Sequence, residues 1–306
     1  MTIHFENRVA LVTGGGAGLG REYALALAAR GAKVIIGDLA RLPDGALAAQ
    51  SVAEEILDAG GMARAVSVDV TDEAAVAELV ASDWGPVDTL ICNAGILRDK
   101  SFAKMEIDDF RKVVEVHLIG TAICVRAVWD GMREARYGRI VLTASASGIY
   151  GNFGQANYAA AKSGMIGLAN TLNIEGASRN IRVNVIAPNA ATAMTADIFP
   201  PQIQEAMTPE NVVPATLFLA SEEAPQGVIM GAGGGAFSMT HIQESAGIYL
   251  PEAKRSPEGI AAHFAAIEGK DGPLTRLSGP QEQTERYLAL RQAATGETLL
   301  PEPGEA

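Results

Sequence analysis

The sequence predicts an α/β fold: a doubly wound parallel sheet of seven strands with helices on both faces, plus a C-terminal helical extension. Three observations carry this reading. Short β-branched runs recur along the first 230 residues without polar alternation, as strands buried on both faces require. Alanine- and leucine-rich helical stretches separate those runs, long enough to carry the chain back to a parallel start. A glycine cluster follows the first run and opens the first helix.

In order, residues 9–12 form the first strand, 21–30 a helix stopped by Gly31, and 33–36 the second strand. A helix over 47–59 ends at Gly60–Gly61 and leads to a strand at 63–68. A helix at 73–80 precedes the strand 89–92, and one long helix from Asp108 to about Arg133 precedes the strand 139–143. A helix over 155–176, a strand at 182–186, a helix near 212–220 and a strand at 227–230 complete the set. Past residue 235 the pattern changes. Ser256–Pro257–Glu258 reads as a helix start, 281–292 as a second helical stretch, and 298–306 as a frayed end. Length alone suggests two domains at about 150 residues each, but the alternation argues for one: a nucleotide-binding and catalytic domain over 1–235 with an extension over 236–306.

The 306 residues are 48% hydrophobic and 20% charged, a globular composition able to bury a core without staples. The balance of 24 Lys+Arg against 36 Asp+Glu gives a net charge of −12, which argues against nucleic-acid or anionic-membrane partners. It leaves room for an anionic ligand held by backbone amides. The two cysteines, Cys92 and Cys124, sit in apolar segments and read as free thiols of a reducing compartment. No CxxC or paired His/Cys spacing points to a metal. No leader-like segment and no apolar run near the ~18 residues of a membrane helix is present, so the expectation is a soluble, cytoplasmic protein.

Thr13–Gly14–Gly15–Gly16–Ala17–Gly18–Leu19–Gly20 fits TGxxxGxG between strand and helix. Glycine permits positive φ and lets backbone approach a pyrophosphate at the helix N-terminus, as in a Rossmann-type site. Asp38 ends the second strand 18 residues past Gly20, where a carboxylate accepts from ribose hydroxyls and repels a 2′-phosphate. That favours NAD over NADP, although Arg41 stands near enough to pair with a phosphate. Asp69 follows the third strand, with Val70 beside it, and either reaches the adenine or caps the next helix with Thr71. Asn93–Ala94–Gly95 are small enough for close passage by the cofactor.

Tyr158 and Lys162 stand one helical turn apart with three alanines between. A phenol ionises too high for acid/base work at neutral pH, and an ammonium nearby lowers it. Ser145, 13 residues upstream at a strand end, is placed to hold a substrate oxygen.

On these motifs the chain resembles the short-chain dehydrogenase/reductase family. It is similar within it to the (3R)-hydroxyacyl-CoA dehydrogenases of peroxisomal multifunctional enzymes. The shared stretches are 93–99, 116–118, 145–158 and 186–190. The resemblance implies Tyr158 as general acid/base, Lys162 as its modulator and ribose ligand, and Ser145 orienting the reacting oxygen. It implies NAD held by the glycine turn with Asp38, Asp69, Asn93 and the Pro188–Asn189 loop. His117 stands where the family commonly has Asn in the long helix, and serves either a proton relay or packing. Asn189 replaces a common glycine. The implied substrate is a 3-hydroxyacyl-CoA or hydroxysteroid, small and apolar or CoA-linked, under an apolar lid over 193–206. Alternatives are an NADPH-dependent 3-oxoacyl thioester reductase, disfavoured by Asp38, and an extended-branch epimerase or dehydratase, disfavoured by the glycine spacing. A non-catalytic NAD-binding regulator is disfavoured by the intact Ser145, Tyr158 and Lys162. A homodimer or homotetramer is expected through helix faces carrying Val113, Val116, Gly120, Ile123 and Ala127 on one side and Ile166, Ala169 and Leu172 on the other.

Overall fold

The computed structural model describes residues 2–81, 83–192 and 200–297. They form two compact units, divided between Thr240 and His241.

The first unit runs β1 (Val9–Thr13), α1 (Gly18–Ala28), β2 (Lys33–Asp38), α2 (Ala48–Asp58), β3 (Met62–Ser67), α3 (Glu73–Val80) and β4 (Thr89–Cys92). It continues through α4 (Ile107–Val114), a π-helical segment (Glu115–Ile119), α5 (Gly120–Ala135), β5 (Gly138–Thr143), α6 (Ala146–Tyr150), α7 (Ala156–Gly176) and β6 (Ile181–Pro188). After α8 (Pro201–Ala206) and α9 (Val213–Ala220) come β7 (Ile229–Gly233) and β8 (Ala236–Thr240). The strands form one sheet in the order β3-β2-β1-β4-β5-β6-β7-β8. Seven run parallel, and an eighth, β8, pairs antiparallel with β7 from Gly233↔Ala236 to Ile229↔Thr240. The sequence reading places residues 236–240 in the extension. They join the sheet because the Gly234–Gly235 turn, both at positive φ, folds the chain straight back.

Both faces of the sheet are covered. Along β1, Ala10 and Val12 point to one cluster with Tyr23, Leu27 and Leu219, while Val9 and Leu11 point to another with Leu79, Val128 and Met165. This period of two, apolar on both sides, is what the runs of Val and Ile encode. Each fully buried Leu or Ile contributes on the order of 2 kcal/mol of transfer free energy.

Strand order reverses between β1 and β4, and register aligns their ends: Thr13 pairs with Gly37 on β2 and with Cys92 on β4. The carboxyl edge therefore brings Gly14, Asp38 and Asn93 into one row at the switch point, where open α/β sheets bind ligands.

The long helix expected over 108–133 is present with an interruption. At Glu115–Ile119 it widens to π geometry, and the Gly120 N–H bonds the Glu115 carbonyl. Four of the residues assigned to a subunit contact are interior: Val113, Gly120, Ile166 and Ala169 are buried within the chain. Val116, Ile123, Ala127 and Leu172 lie half-buried against the same core. The buried four lie on the inward face of these helices, and the half-buried four border it.

The second unit contains β9 (Glu244–Ser245) paired antiparallel with β10 (Leu274–Thr275), α10 (Pro257–Ala262), α11 (Phe264–Glu268) and α12 (Pro280–Thr295). Ser256 caps α10 by accepting from the Gly259 N–H at 3.1 Å. Among its described residues none is buried. The expected lid lies over 193–199 outside the described residues, as does the segment 298–306; residues 201–206 are α8. No described helix is long and apolar enough to cross a membrane.

Candidate active site

The glycine turn leaves β1 at Gly14, whose φ of 64° and closeness to the Ala94 backbone leave no room for a side chain. Gly18, at φ 52°, opens α1. The N-cap residue Ala17 has no side chain able to cap, so the N–H groups around Gly18, Leu19 and Gly20 face outward with the positive end of the helix dipole. Thr13 and Asn93 brace this turn. The Thr13 hydroxyl accepts from the N–H groups of Asn93 (3.1 Å) and Ala94 (3.2 Å), and Asn93 Nδ2 donates to the Gly14 carbonyl (3.0 Å).

Asp38 sits where the spacing places it. Its Oδ2 accepts from the Gly16 N–H at 2.7 Å and its Oδ1 from the Ala40 N–H at 2.8 Å. Each oxygen keeps a lone pair for a further donor. Arg41 is turned into its own loop, donating to the Gly45 carbonyl at 2.9 Å. Asp69 forms a local turn, accepting from the Thr71 N–H and hydroxyl, and those bonds hold its carboxyl below the ordinary range. The helix cap is Asp72, which accepts from Ala74 and Ala75. Val70 is buried against Gly120. Pro188 ends β6 paired with Ala232, and the Asn189 N–H donates to the Ala232 carbonyl at 2.8 Å. Thr192 packs beside Gly18, a neighbour the sequence reading does not single out.

Ser145, Tyr158, Lys162 and His117 come together. Ser145 caps α6, accepting from the Ser147 N–H at 3.2 Å, and its hydroxyl hydrogen-bonds Tyr158. Lys162 is fully interior; its Nζ donates to the Thr143 carbonyl at 2.5 Å and lies 5.5 Å from the Tyr158 ring centre. His117 meets the Tyr158 ring edge-on at 5.1 Å between centres. Its Nε2 lies 3.0 Å from the Ile96 nitrogen and 2.8 Å from the Ile96 oxygen. A Cβ on Gly95 would overlap this imidazole, so glycine there and the π widening together admit the histidine.

Electrostatics modifies the expectation for the tyrosine. Burial pushes the Tyr158 phenol above its ordinary value; the Ser145 bond opposes this and the Asp99 charge adds to it. Burial lowers Lys162 to about 7, so the lysine is a weaker positive neighbour near neutrality than a free ammonium. His117 is lowered to about 3 by burial and by the Lys162 charge, and is neutral at physiological pH.

These residues fit a nicotinamide dinucleotide. The open helix N-terminus suits a pyrophosphate, and the Asp38 lone pairs suit ribose hydroxyls. One buried polar atom beside Tyr158, His117 Nδ1, has no partner within the described residues. A ligand or water at the site satisfies such an atom.

The family model for short chain dehydrogenases matches residues 8–202. Peroxisomal multifunctional enzyme A of Dictyostelium discoideum is 42% identical over 309 residues, which cover 99% of this chain and 70% of that one. A short-chain type dehydrogenase/reductase of Mycobacterium tuberculosis is 42% identical over 275 residues, 87% of this chain and 96% of that one. The solved structure of full-length peroxisomal multifunctional enzyme type 2 from Drosophila melanogaster matches with a TM-score of 0.81 at 36% identity. That match covers 96% of this chain and 51% of the other, so this chain spans about half its length. The chain belongs to the short-chain dehydrogenase family. It is an oxidoreductase of CH–OH groups that uses a nicotinamide cofactor.

Proposed function

We propose that the chain is an NAD-dependent dehydrogenase of a secondary alcohol, with a 3-hydroxyacyl-CoA as the substrate class. The observation that carries this is the Ser145–Tyr158–Lys162 cluster set beside the glycine turn, with Asp38 at the end of β2. The Asp38 carboxylate repels a 2′-phosphate, and Arg41 is engaged elsewhere, which supports NAD. A bound oxidised nicotinamide supplies the hydride acceptor and a positive charge near the phenol. Ser145 holds the substrate oxygen, Tyr158 takes the hydroxyl proton at its phenolate oxygen, and Lys162 favours that phenolate and binds the ribose. Ketone reduction reverses these roles.

Two features support an apolar or thioester-linked alcohol. Phe153 and Tyr150, on the segment between Ser145 and Tyr158, are 91% and 77% exposed. Phe102 is exposed on the segment tied to it by the Lys100 N–H donating to the Gly154 carbonyl. The same reading places the protein in a reducing, cytoplasmic setting, with Cys92 and Cys124 both free and buried. It also has the chain working as a homodimer or homotetramer, checked by light scattering at working concentration.

The deciding experiment records absorbance at 340 nm with NAD and NADP in parallel, across 3-hydroxyacyl-CoAs, hydroxysteroids and simple alcohols. The reading expects turnover with NAD and the acyl-CoA. Preference for NADP with an acyl-carrier thioester supports the reductase alternative, and NADH binding without turnover supports a regulator.

A further inference from the structure

A buried glutamine at the start of α7 joins the two loops that frame the reacting groups. Gln155, 6% exposed, donates from Nε2 to Asp99 Oδ2 at 2.6 Å. Its Oε1 accepts from the Ser147 hydroxyl at 2.8 Å and from Asn152 Nδ2 at 3.0 Å. A carboxylate can only accept, so Asp99 dictates which way the Gln155 amide faces, and the amide dictates where the Ser147 proton points. Ser147 in turn donates its backbone N–H to Ser145 Oγ. The Asp99 loop is fastened to the same helix start twice more. Asn157, fully buried, donates to the Arg98 carbonyl at 3.0 Å, and the Lys100 N–H donates to the Gly154 carbonyl at 2.9 Å.

We propose that Asp99 and Gln155 form a positioning pair, in which the aspartate fixes the glutamine amide and so holds Ser145 in register with Tyr158. The assignment rests on the dehydrogenase reading above. It goes beyond that reading because neither residue touches the reacting atoms. Among the described residues, the groups that contact Tyr158 or act on it by charge are Ser145 just past β5, Lys162 on its own helix, His117 from the π segment and, through its charge, Asp99 from the loop after β4. Asp99 is the only acid among them. Its charge opposes phenolate formation, so the pair sets both the geometry and the pH at which Tyr158 works.

The test compares the intact protein with Asp99→Asn and with the double change Asp99→Asn/Gln155→Glu. In the double variant the new amide at position 99 donates to the new carboxylate at position 155, whose other oxygen still accepts from Ser147 and Asn152. The bonds and the charge are kept with their direction reversed. Three readouts are taken: kcat and KM against pH with NAD and a 3-hydroxyacyl-CoA, thermal melting, and tyrosinate absorbance against pH as the difference from each protein's Tyr158→Phe form.

The proposal expects Asp99→Asn to lose roughly tenfold or more in kcat with KM for NAD held. It expects the Tyr158 titration to move to lower pH, and the double variant to recover both. An unchanged rate and titration in Asp99→Asn overturn it, as does a double variant that melts like the wild type without recovering. Should Asp99→Asn fail to fold, Asp99→Glu decides. It keeps charge and acceptor, and must titrate Tyr158 as the wild type does; a displaced titration overturns the proposal. A wild type that turns over no alcohol sinks the dehydrogenase reading alone, since the tyrosinate titration still decides the pair.

Discussion

Lys162 Nζ donates to the Thr143 carbonyl at 2.5 Å, so the lysine head 5.5 Å from the Tyr158 ring centre is anchored to the end of β5. The anchoring carries a stability cost. Burial lowers this lysine to about 7 from its ordinary 10.5. The unfolded chain therefore holds the proton more readily between those values. Stability should rise as pH climbs from 7 to 10.5, because the folded state no longer has to bury a charge. Lys162→Met should abolish turnover, stabilise the fold at pH 7 by about 1–2 kcal/mol, and flatten that rise. Urea unfolding across the same pH range measures it; a Met variant with the wild-type slope contradicts the assignment.

His117 behaves in the same direction at lower pH. Its folded value of about 3 lies below the ordinary 6.5, so its contribution is whole above pH 6.5 and is lost as pH falls toward 3. His117→Gln should remove that part of the acid sensitivity. Gly95→Ala should collide with the imidazole, destabilise by about 1–3 kcal/mol and weaken NADH binding. Acid titration of unfolding and NADH fluorescence check the two variants; an unaltered Gly95→Ala protein would show that the imidazole moves freely.

Most of the sheet is readable from sequence because strands buried on both faces leave an unambiguous mark, as in β1, β2 and β5. The glycine turn and Asp38 are readable because they share one β–α–β unit, in which the Gly16 N–H donates to Asp38. The misreadings have physical causes. Apolar spacing on α5 and α7 states that a face is covered without stating by what, so Val113, Gly120, Ile166 and Ala169 read as a docking face. The π segment leaves no periodic mark, since its extra residue per turn depends on His117 finding Gly95 and, 21 positions away, Ile96. The Asp99–Gln155 bond spans 56 positions. Neither residue is unusual in its own neighbourhood, and only their shared partners reveal the pair.

Asp38 makes a separate prediction about cofactor choice. Its Oδ2 holds the Gly16 N–H at 2.7 Å, so the residue shapes the turn as well as presenting a carboxylate. Asp38→Ala should raise KM for NAD by roughly ten- to a hundredfold, the worth of a charged hydrogen bond. Discrimination against NADP should relax at the same time. Steady-state kinetics with both cofactors read this, and an unchanged preference would move the specificity determinant elsewhere.

Every role assigned to the site turns on the Tyr158 phenol carrying the proton of the reaction. The most direct measurement is a single-turnover record of NADH formation at 340 nm, with NAD and a 3-hydroxyacyl-CoA, for the wild type and Tyr158→Phe at matched NADH binding. The wild type should form NADH, and the Phe variant should be slower by roughly a hundred- to ten-thousandfold, the range for loss of a general acid/base. Equal rates in the two proteins would contradict the account.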